Sequence, residues 1–550
     1  MTKISVDPSN DQLSRAAEYR VQGYWDDGFL TDYLDRWAEE DPDHPYLSDG
    51  TSRLTYGEFR NLARSLAVSL QGLGVGPGDR VAVQLPNWNE YFLVYAACAR
   101  LGAVMIPVVG VYRESEVRYI VESSDAVGLV TPGKFRGFDH AAMAANVARA
   151  VSTLRFRVVV RGEATAGAMA LDDLLRAEVA DGWDPDQRAA ADDPHLILFS
   201  SGTEARPKAC VHTWSTSSFL PKQAVAALDM SRDDVMFMPA PVTHALGMTL
   251  GVMAPTIAGA AVELIDVFEP TAALEQITRG GCTGTASPAP FIRLLLDAYD
   301  PVVHDMSRLR FWLSAGAPIP KTLVEEAATT IPGCRVVSAY GSSEVMMATV
   351  CRPGDSVDRV ASSDGAPVDG VELRIVSQDG SEAPVGVEGE IRYKGPGRIL
   401  EYFGRPDLTA GALDADGWWR TGDLGRVDED GYLRVTGRLK DIIIRGGFNI
   451  SAREVEEALL EHPAIANVAV VGIPDERLGE RACAVVVPHA DQRVTLEELG
   501  TFLAQKRKIA TWKVPERIEF VNGFPLTATG KVQKFALRDR FQQSGSGEAK

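Results

Sequence analysis

Cysteine is scarce and unpatterned: the six residues, at positions 98, 210, 282, 334, 351 and 483, form no CxxC pair and show no ligand-like spacing to the eight histidines. A structural zinc site is therefore not expected. The longest apolar run, Leu101 to Tyr112, falls well short of the ~20 residues of a membrane-spanning helix. Positive charge is in deficit, with 56 basic against 75 acidic residues and a formal net charge of −19. A field of that sign repels polyphosphate backbones and anionic lipid surfaces, so neither nucleic acid nor a membrane is an expected partner. The field is an average, and a small anionic ligand can still be held where backbone amides and a few cations converge. Met1 to Asn10 lacks a basic region followed by an apolar one, which makes a reducing cytoplasm the expected setting.

What is present is an ordinary globular composition, 45% hydrophobic and 24% charged, over 550 residues, enough for two or more domains. From Leu54 a helical stretch to Leu73, a GVGPGDR turn and the strand VAVQL form a unit that is followed by a helix over Glu90 to Leu101 and the apolar AVMIPV. Strand and helix signals keep alternating through Phe156–Val160, His195–Phe199, Asp234–Pro239 and Val262–Ile265. This predicts an α/β fold with doubly wound sheets. After Val371, short alternating strands with Gly turns (ELRIV, GEIRYKG, GYLRVTG) predict a small β-rich subdomain. The expected domain break follows Leu439, giving domains 1–439 and 440–550, the second a small α+β domain. Within it, Ala452–Glu461 reads as a helix capped by Ser451 with Glu454 in a capping box, and Thr495–Lys508 as another helix.

The sharpest local signal is LILFSSGTEARPK, an apolar strand running into Ser200, Ser201, Gly202 and Thr203 and closing on Lys208. Small residues let backbone N–H groups approach anionic oxygens, hydroxyls add donors, and a lysine supplies compensating charge, so the segment suits a phosphate cradle. A solvated turn is the plainer alternative. It is not a Walker A loop, because Pro207 stands where the second Gly should precede the Lys.

Four further segments follow in order: AYGSSE at Ala339–Glu344, WWRTGDLG at Trp418–Gly425, GRLKDIIIRGGFNIS at Gly437–Ser451 and PLTATGKVQK at Pro525–Lys534. Together the five resemble the adenylate-forming superfamily of acyl- and aryl-CoA synthetases, peptide-synthetase adenylation domains and luciferases. The resemblance spans nearly the whole chain, from Leu54 to Lys531. It implies ATP, Mg²⁺ and coenzyme A as cofactors and co-substrates, and a small-molecule carboxylic acid as substrate. It implies a nucleotide site of Ser200, Ser201, Gly202, Thr203, Lys208, Gly316, Ala317, Ala339, Tyr340, Gly341, Ser342, Ser343, Asp423, Arg438 and Lys531. In that site Tyr340 resembles the aromatic face against adenine, Asp423 the ribose acceptor, and Glu344 with Thr203 the Mg²⁺ ligands. Lys531 resembles the catalytic lysine that bridges carboxylate and phosphate. Gly446 and Gly447 match the face that admits a pantetheine arm, and Lys440 the hinge. As isolated residues these would be a core tyrosine, a turn aspartate, a surface carboxylate, turn glycines and an exposed lysine.

His244 aligns with an aromatic position bordering the acid pocket, with Ala245, Gly247, Met248 and Gly316 around it. Adenylation by a carboxylate needs no general base, so His244 is not assigned one. The N-terminal AEYRVQGYW resembles aryl-acid activating members, which carry Asn after the His for an ortho hydroxyl. Ala245 offers no such bond, and with Leu246 it points to an apolar acid. Glu204 and Ala205 depart from the usual Thr and Gly, and Glu204 is expected to point outward or to support Mg²⁺. The resulting expectation is a cytoplasmic, AMP-forming acid–thiol ligase for an alicyclic, aromatic or fatty acid, monomeric or homodimeric. The stretch after Lys531 is too short for a carrier domain, which favours CoA as acceptor. A separate carrier protein is the rival acceptor, and a non-catalytic acyl-adenylate sensor the rival of another class.

Overall fold

A computed structural model describes residues 11–164, 167–184, 190–200, 207–316, 319–352, 354–475, 477–489, 492–506, 509–526 and 532–543. Ser201, Gly202, Thr203, Glu204, Ala205, Ala317 and Lys531 lie outside the described residues. The chain divides into two compact units. The first comprises the chain up to Ser200, Lys208–Glu372 and Lys394–Trp419; the second is built from Leu373–Tyr393 and the chain from Arg420. The expected break after Leu439 falls inside the second unit, which includes the β-rich subdomain.

Among the described residues, two large mixed sheets organise the first unit. The nine-stranded sheet runs through Ala366–Pro367, Thr349–Val350, Arg335–Tyr340, Phe311–Ala315, Gly284–Ala286, Val235–Met238, Ala261–Leu264, Pro45–Ser48 and Arg53–Thr55. Five central pairs are parallel; the two pairs beginning the sheet, formed by Ala366–Pro367, Thr349–Val350 and Arg335–Tyr340, and the last pair, Pro45–Ser48 with Arg53–Thr55, are antiparallel. The eight-stranded sheet runs through Glu401–Tyr402, Ala209–Thr213, Pro194–Phe199, Val104–Pro107, Arg80–Val83, Gly128–Pro132, Phe156–Val160 and Met169–Ala170. Here Ala209–Thr213 lies antiparallel to both of its neighbours. The central strands Arg80–Val83, Val104–Pro107 and Gly128–Pro132 are buried at every position, which is why they read as apolar runs and not as alternations.

Helices cover the sheets where the apolar period predicts them. Tyr56–Gly72 begins with a reciprocal capping box between Thr55 and Glu58 and buries Phe59, Ala63, Leu66 and Leu70 along one stripe. The two sheets are stitched by Asn87, whose side-chain amide donates to the Met238 and Ala240 carbonyls (3.2 and 2.9 Å) and accepts from Val242 N–H (2.9 Å).

The second unit carries a four-stranded sheet in the order Glu372–Val376, Gly389–Lys394, Trp419–Val427 and Leu433–Arg438, as expected of the β-rich subdomain. A further sheet runs through Phe448–Ser451, Ile442–Arg445, Gly479–Pro488 and Ile465–Asp475, with Arg517–Phe520 beside Gly479–Pro488. Two local expectations fail there. The helix over Ala452–Leu459 keeps its Ser451 cap, but the Glu454 carboxylate pairs with Lys513 Nζ (2.5 Å) and closes no capping box. Of the expected helix Thr495–Lys508, the described residues are α-helical over Leu496–Thr501 and widen to a π turn over Phe502–Lys506; Arg507 and Lys508 lie outside the described residues.

All six cysteines are free and buried, and burial pushes their thiols up, to about 12 for Cys98, Cys334 and Cys483. A thiol-specific disulfide reagent at pH 8 should therefore find almost no fast-reacting cysteine in the folded protein and six after denaturation. Burial also lowers three histidines of the first unit, His195 to about 3, and His140 and His212 to about 4. These are neutral in the folded state and protonate in the unfolded chain below about pH 6.5, so their stability is full above that pH and falls as pH drops toward 4. Denaturation between pH 7 and pH 5 should show stability falling with a limiting slope of about 1.4 kcal/mol per pH unit for each such histidine. His140→Gln should flatten that slope by about one histidine's share.

Candidate active site

Parallel α/β sheets place their loops for ligands at the carboxyl ends of the strands. The predicted nucleotide residues of the first unit occupy those ends. Ser200 follows Pro194–Phe199, Gly316 follows Phe311–Ala315, and Tyr340 ends Arg335–Tyr340, with Ala315 and Ala339 in register on neighbouring strands. The loop after Phe199 is closed at its base like a hairpin. Ser200 N–H donates to the Lys208 carbonyl (2.8 Å), Lys208 N–H donates to Ser200 Oγ (3.2 Å), and Phe199 pairs with Ala209.

Beyond Tyr340, which is buried, the chain makes a tight polar turn. Ala348 N–H donates to the Tyr340 carbonyl (2.7 Å), and Met346 takes a left-handed φ of 54°. A Cβ on Gly341 would collide with the Met346 carbonyl, so glycine here is a steric requirement of the turn itself. Ser342, Ser343 and Glu344 are half-buried along it.

This turn is tied to the antiparallel edge of the other sheet. His212 Nε2 donates to the Ser343 carbonyl (2.8 Å), and Ile399 N–H donates to the Glu344 carbonyl (2.9 Å). The Tyr402 hydroxyl donates to Glu344 Oε1 (2.9 Å). Lys208 Nζ lies 5.4 Å from the centre of the same Tyr402 ring. Lys208 and Glu344, which the sequence places 136 positions apart, are thus brought to one tyrosine. Cys210 feels both: burial pushes its thiol up, Glu344 adds to that shift and Lys208 opposes it. Sequence reasoning missed Tyr402 and His212. The available signal was their strand neighbourhood, ILEYFG beside ACVHT, which pair as Cys210 with Tyr402.

His244 precedes a helical segment that runs from Ala245 through a π turn at Met248–Met253 to Ala258. Met248 N–H donates to the His244 carbonyl (2.8 Å). The approach to His244 is fixed by buried groups: Asn87 accepts from Val242 N–H, and the Tyr91 hydroxyl donates to the Val242 carbonyl (3.1 Å). A Cβ on Gly247 would strike the Pro241 carbonyl, so this glycine is required by close packing. Ala245 and Met248 are buried, while His244 and Leu246 are half-buried.

In the second unit, Asp423 and Arg438 are partners across a β-ladder, with Arg438 Nε 2.9 Å from Asp423 Oδ1. Lys440 is exposed in the short turn Leu439–Asp441 that follows. Gly446 and Gly447 form the two-residue turn between Ile442–Arg445 and Phe448–Ser451, with φ of 56° and 88°. Both values are those of a type I′ hairpin, which explains a glycine pair. A Cβ on Gly447 would meet nothing within 4 Å.

No group of three or more His, Cys, Asp or Glu able to hold a metal occurs among the described residues. Glu344 Oε2 accepts no hydrogen bond among the described residues, leaving one hard oxygen available beside Oε1. That donor set fits Mg²⁺, which is bound through one or two carboxylates plus substrate phosphates and water, and not by an all-protein cage.

The profile of the AMP-binding enzyme family matches residues 34–403, and that of the AMP-binding enzyme C-terminal domain matches 454–531. The medium-chain fatty-acid–CoA ligase of Escherichia coli is 37% identical over 527 residues, covering 95% of this chain and 92% of the relative. The vibriobactin-specific 2,3-dihydroxybenzoate-AMP ligase of Vibrio cholerae is 32% identical over 538 residues, covering 96% and 97%. Among solved structures, the anthranilate CoA ligase AuaEII in complex with anthranoyl-AMP aligns with a TM-score of 0.85 at 25% identity, over 94% of this chain and 98% of that one. With both family regions matched in order and nearly the full length shared with such enzymes, the chain belongs to the AMP-binding enzyme family.

Proposed function

We infer that the chain is an ATP-dependent acyl-CoA synthetase, an AMP-forming acid–thiol ligase, acting on a small or medium hydrophobic carboxylic acid. The observation that carries this reading is the convergence of Lys208, from the hairpin loop, and Glu344, from the polar turn, on Tyr402. A carboxylate is a poor electrophile and must gain a leaving group before a thiol can attack. Its oxygen attacks the α-phosphorus of ATP, the bond to pyrophosphate breaks, and an acyl-adenylate forms. The thiol sulfur of CoA then attacks the acyl carbon, its proton passes to solvent, and AMP departs.

The residues divide this work. Tyr340 supports adenine, Asp423 and Arg438 the ribose and nucleotide, and Lys208 with the loop amides the phosphates. Lys531 supplies the charge that stabilises the phosphoryl oxygens as the acid attacks. Bound Mg²⁺, held by Glu344 and Thr203, would neutralise phosphate charge. Gly447 borders the path of the thiol arm, and Lys440 serves as the hinge that exchanges the Lys531 and Gly447 faces. Two separate closures keep water from the mixed anhydride. The setting is a cytoplasm.

An apolar acid is supported by Ala245, Leu246 and Met248, which offer no side-chain hydrogen bond to a polar substituent, and by the Escherichia coli relative named for medium-chain fatty acids. The Vibrio cholerae relative, named as a 2,3-dihydroxybenzoate-AMP ligase, keeps a non-CoA acceptor in view.

Acid-dependent ATP–pyrophosphate exchange over a panel of saturated fatty, benzoic and cyclohexane acids should give a strong signal with apolar members and little with dihydroxybenzoate. No exchange with any acid would favour a non-catalytic sensor. Mass spectrometry of the product should show acyl-CoA with free CoA and no carrier protein. Lys531→Ala should lower exchange by roughly 100-fold or more, the usual cost of losing one preorganised transition-state charge partner, with the unfolding midpoint unchanged.

A further inference from the structure

Glu344 sits at the end of a turn of small residues, Gly341, Ser342 and Ser343, with no ladder of its own between Tyr340 and Ala348. A carboxylate on such a turn has three free side-chain torsions, and aiming it requires outside contacts. We propose that Tyr402 and His212 are positioning residues for Glu344, one fixing its carboxylate and the other its main chain. The proposal rests on the reading of Glu344 as the carboxylate that meets the metal–nucleotide.

Tyr402 occupies Glu344 Oε1 with its hydroxyl, and Oε2 accepts no hydrogen bond among the described residues. Its own placement is locked at several points. Tyr402 N–H donates to Thr409 Oγ1 (3.0 Å), its main chain pairs with Cys210, and its ring packs against Trp419 with centroids 5.6 Å apart. His212 is fully buried on the adjoining strand. A main-chain carbonyl only accepts, so Nε2 carries the proton given to Ser343, while Nδ1 lies 3.4 Å from the Thr216 hydroxyl, which also faces the Thr213 carbonyl (3.2 Å). The imidazole therefore has one tautomer and one orientation. Outer groups that orient a metal-binding carboxylate typically cost 10–100-fold in metal affinity or activity when removed.

The test compares Tyr402→Phe, His212→Leu and His212→Gln, each alone and in a Glu344→Gln background. The readouts are the dissociation constant of Mn²⁺ from its complex with the enzyme and α,β-methylene-ATP, measured by electron paramagnetic resonance, and acid-dependent pyrophosphate exchange. Tyr402→Phe keeps the ring and its packing, so it reports on the hydroxyl even if a His212 variant folds poorly. Tyr402→Phe and His212→Leu should each weaken Mn²⁺ binding and exchange about tenfold or more. His212→Gln, whose amide nitrogen can stand in for Nε2, should recover most of the loss. In the Glu344→Gln background neither Tyr402→Phe nor His212→Leu should add a further loss. Wild-type Mn²⁺ affinity in Tyr402→Phe while Glu344→Gln is impaired would overturn the proposal, as would equal losses in both backgrounds. An unimpaired Glu344→Gln would instead overturn the underlying reading of Glu344.

Discussion

The attachment of one polar turn to the antiparallel edge of the second sheet is the constraint on which the proposed nucleotide site depends. Two twisted sheets packed through apolar side chains are free to slide by small amounts, because the hydrophobic effect is non-directional. Directional bonds remove that freedom. His212 to the Ser343 carbonyl, Ile399 to the Glu344 carbonyl and Asn87 to Met238, Ala240 and Val242 all run between segments of the two sheets. Each is buried or half-buried, where an unpaired polar group costs the full desolvation penalty, ~1–3 kcal/mol. A shift that broke one would leave its partners unsatisfied, so the register of the two carboxyl-end edges is held as a unit.

The same edge reconciles an acidic protein with an anionic ligand. A net charge of −19 disfavours polyanions at long range, but screening limits that field to about 8–10 Å at physiological salt. Inside the site the balance is local. Lys208 approaches one face of Tyr402 while Glu344 takes its hydroxyl, so a positive and a negative group are held near one another without a direct ion pair between them among the described residues. In the second unit Arg438 is directly paired to the buried Asp423, which holds that carboxylate in one orientation.

Legibility followed periodicity and local chemistry. Strands buried on both faces, such as Pro194–Phe199, and the helix after Thr55 were readable because every position obeys one rule over five or more residues. Tyr340, Glu344, Asp423 and Arg438 were singled out by the resemblance of their motifs to one superfamily, because taken alone they read as a core tyrosine, a surface carboxylate, a turn aspartate and a strand arginine. Tyr402, His212 and Asn87 were not, because each is a single polar residue inside or beside an apolar strand, and its partner lies 58, 131 or about 150 positions away. The capping box at Glu454 failed for a related reason: Lys513, 59 positions on, competes for the same carboxylate and wins with a charge-assisted bond.

Glycine shows how one residue type hides several physical causes. The sequence resemblance places Gly247 beside the acid pocket, Gly341 in the nucleotide site and Gly447 on the face that admits a pantetheine arm. At Gly247 and Gly341 the missing side chain is required by the protein's own backbone, the Pro241 carbonyl in one case and the Met346 carbonyl in the other. These glycines shape the His244 approach and the Glu344 turn indirectly, by letting main chain lie on main chain. Gly447 differs, because a Cβ there would meet only open space, and its backbone angle is set by a two-residue hairpin that also needs Gly446. Substitution at Gly447 by alanine would still strain a left-handed φ, so loss of function alone would not separate turn geometry from ligand clearance. A D-alanine at that position, which accepts the positive φ while adding the methyl group, separates them: retained thiol transfer assigns the glycine to the turn, and selective loss of transfer with adenylation intact assigns it to the ligand path.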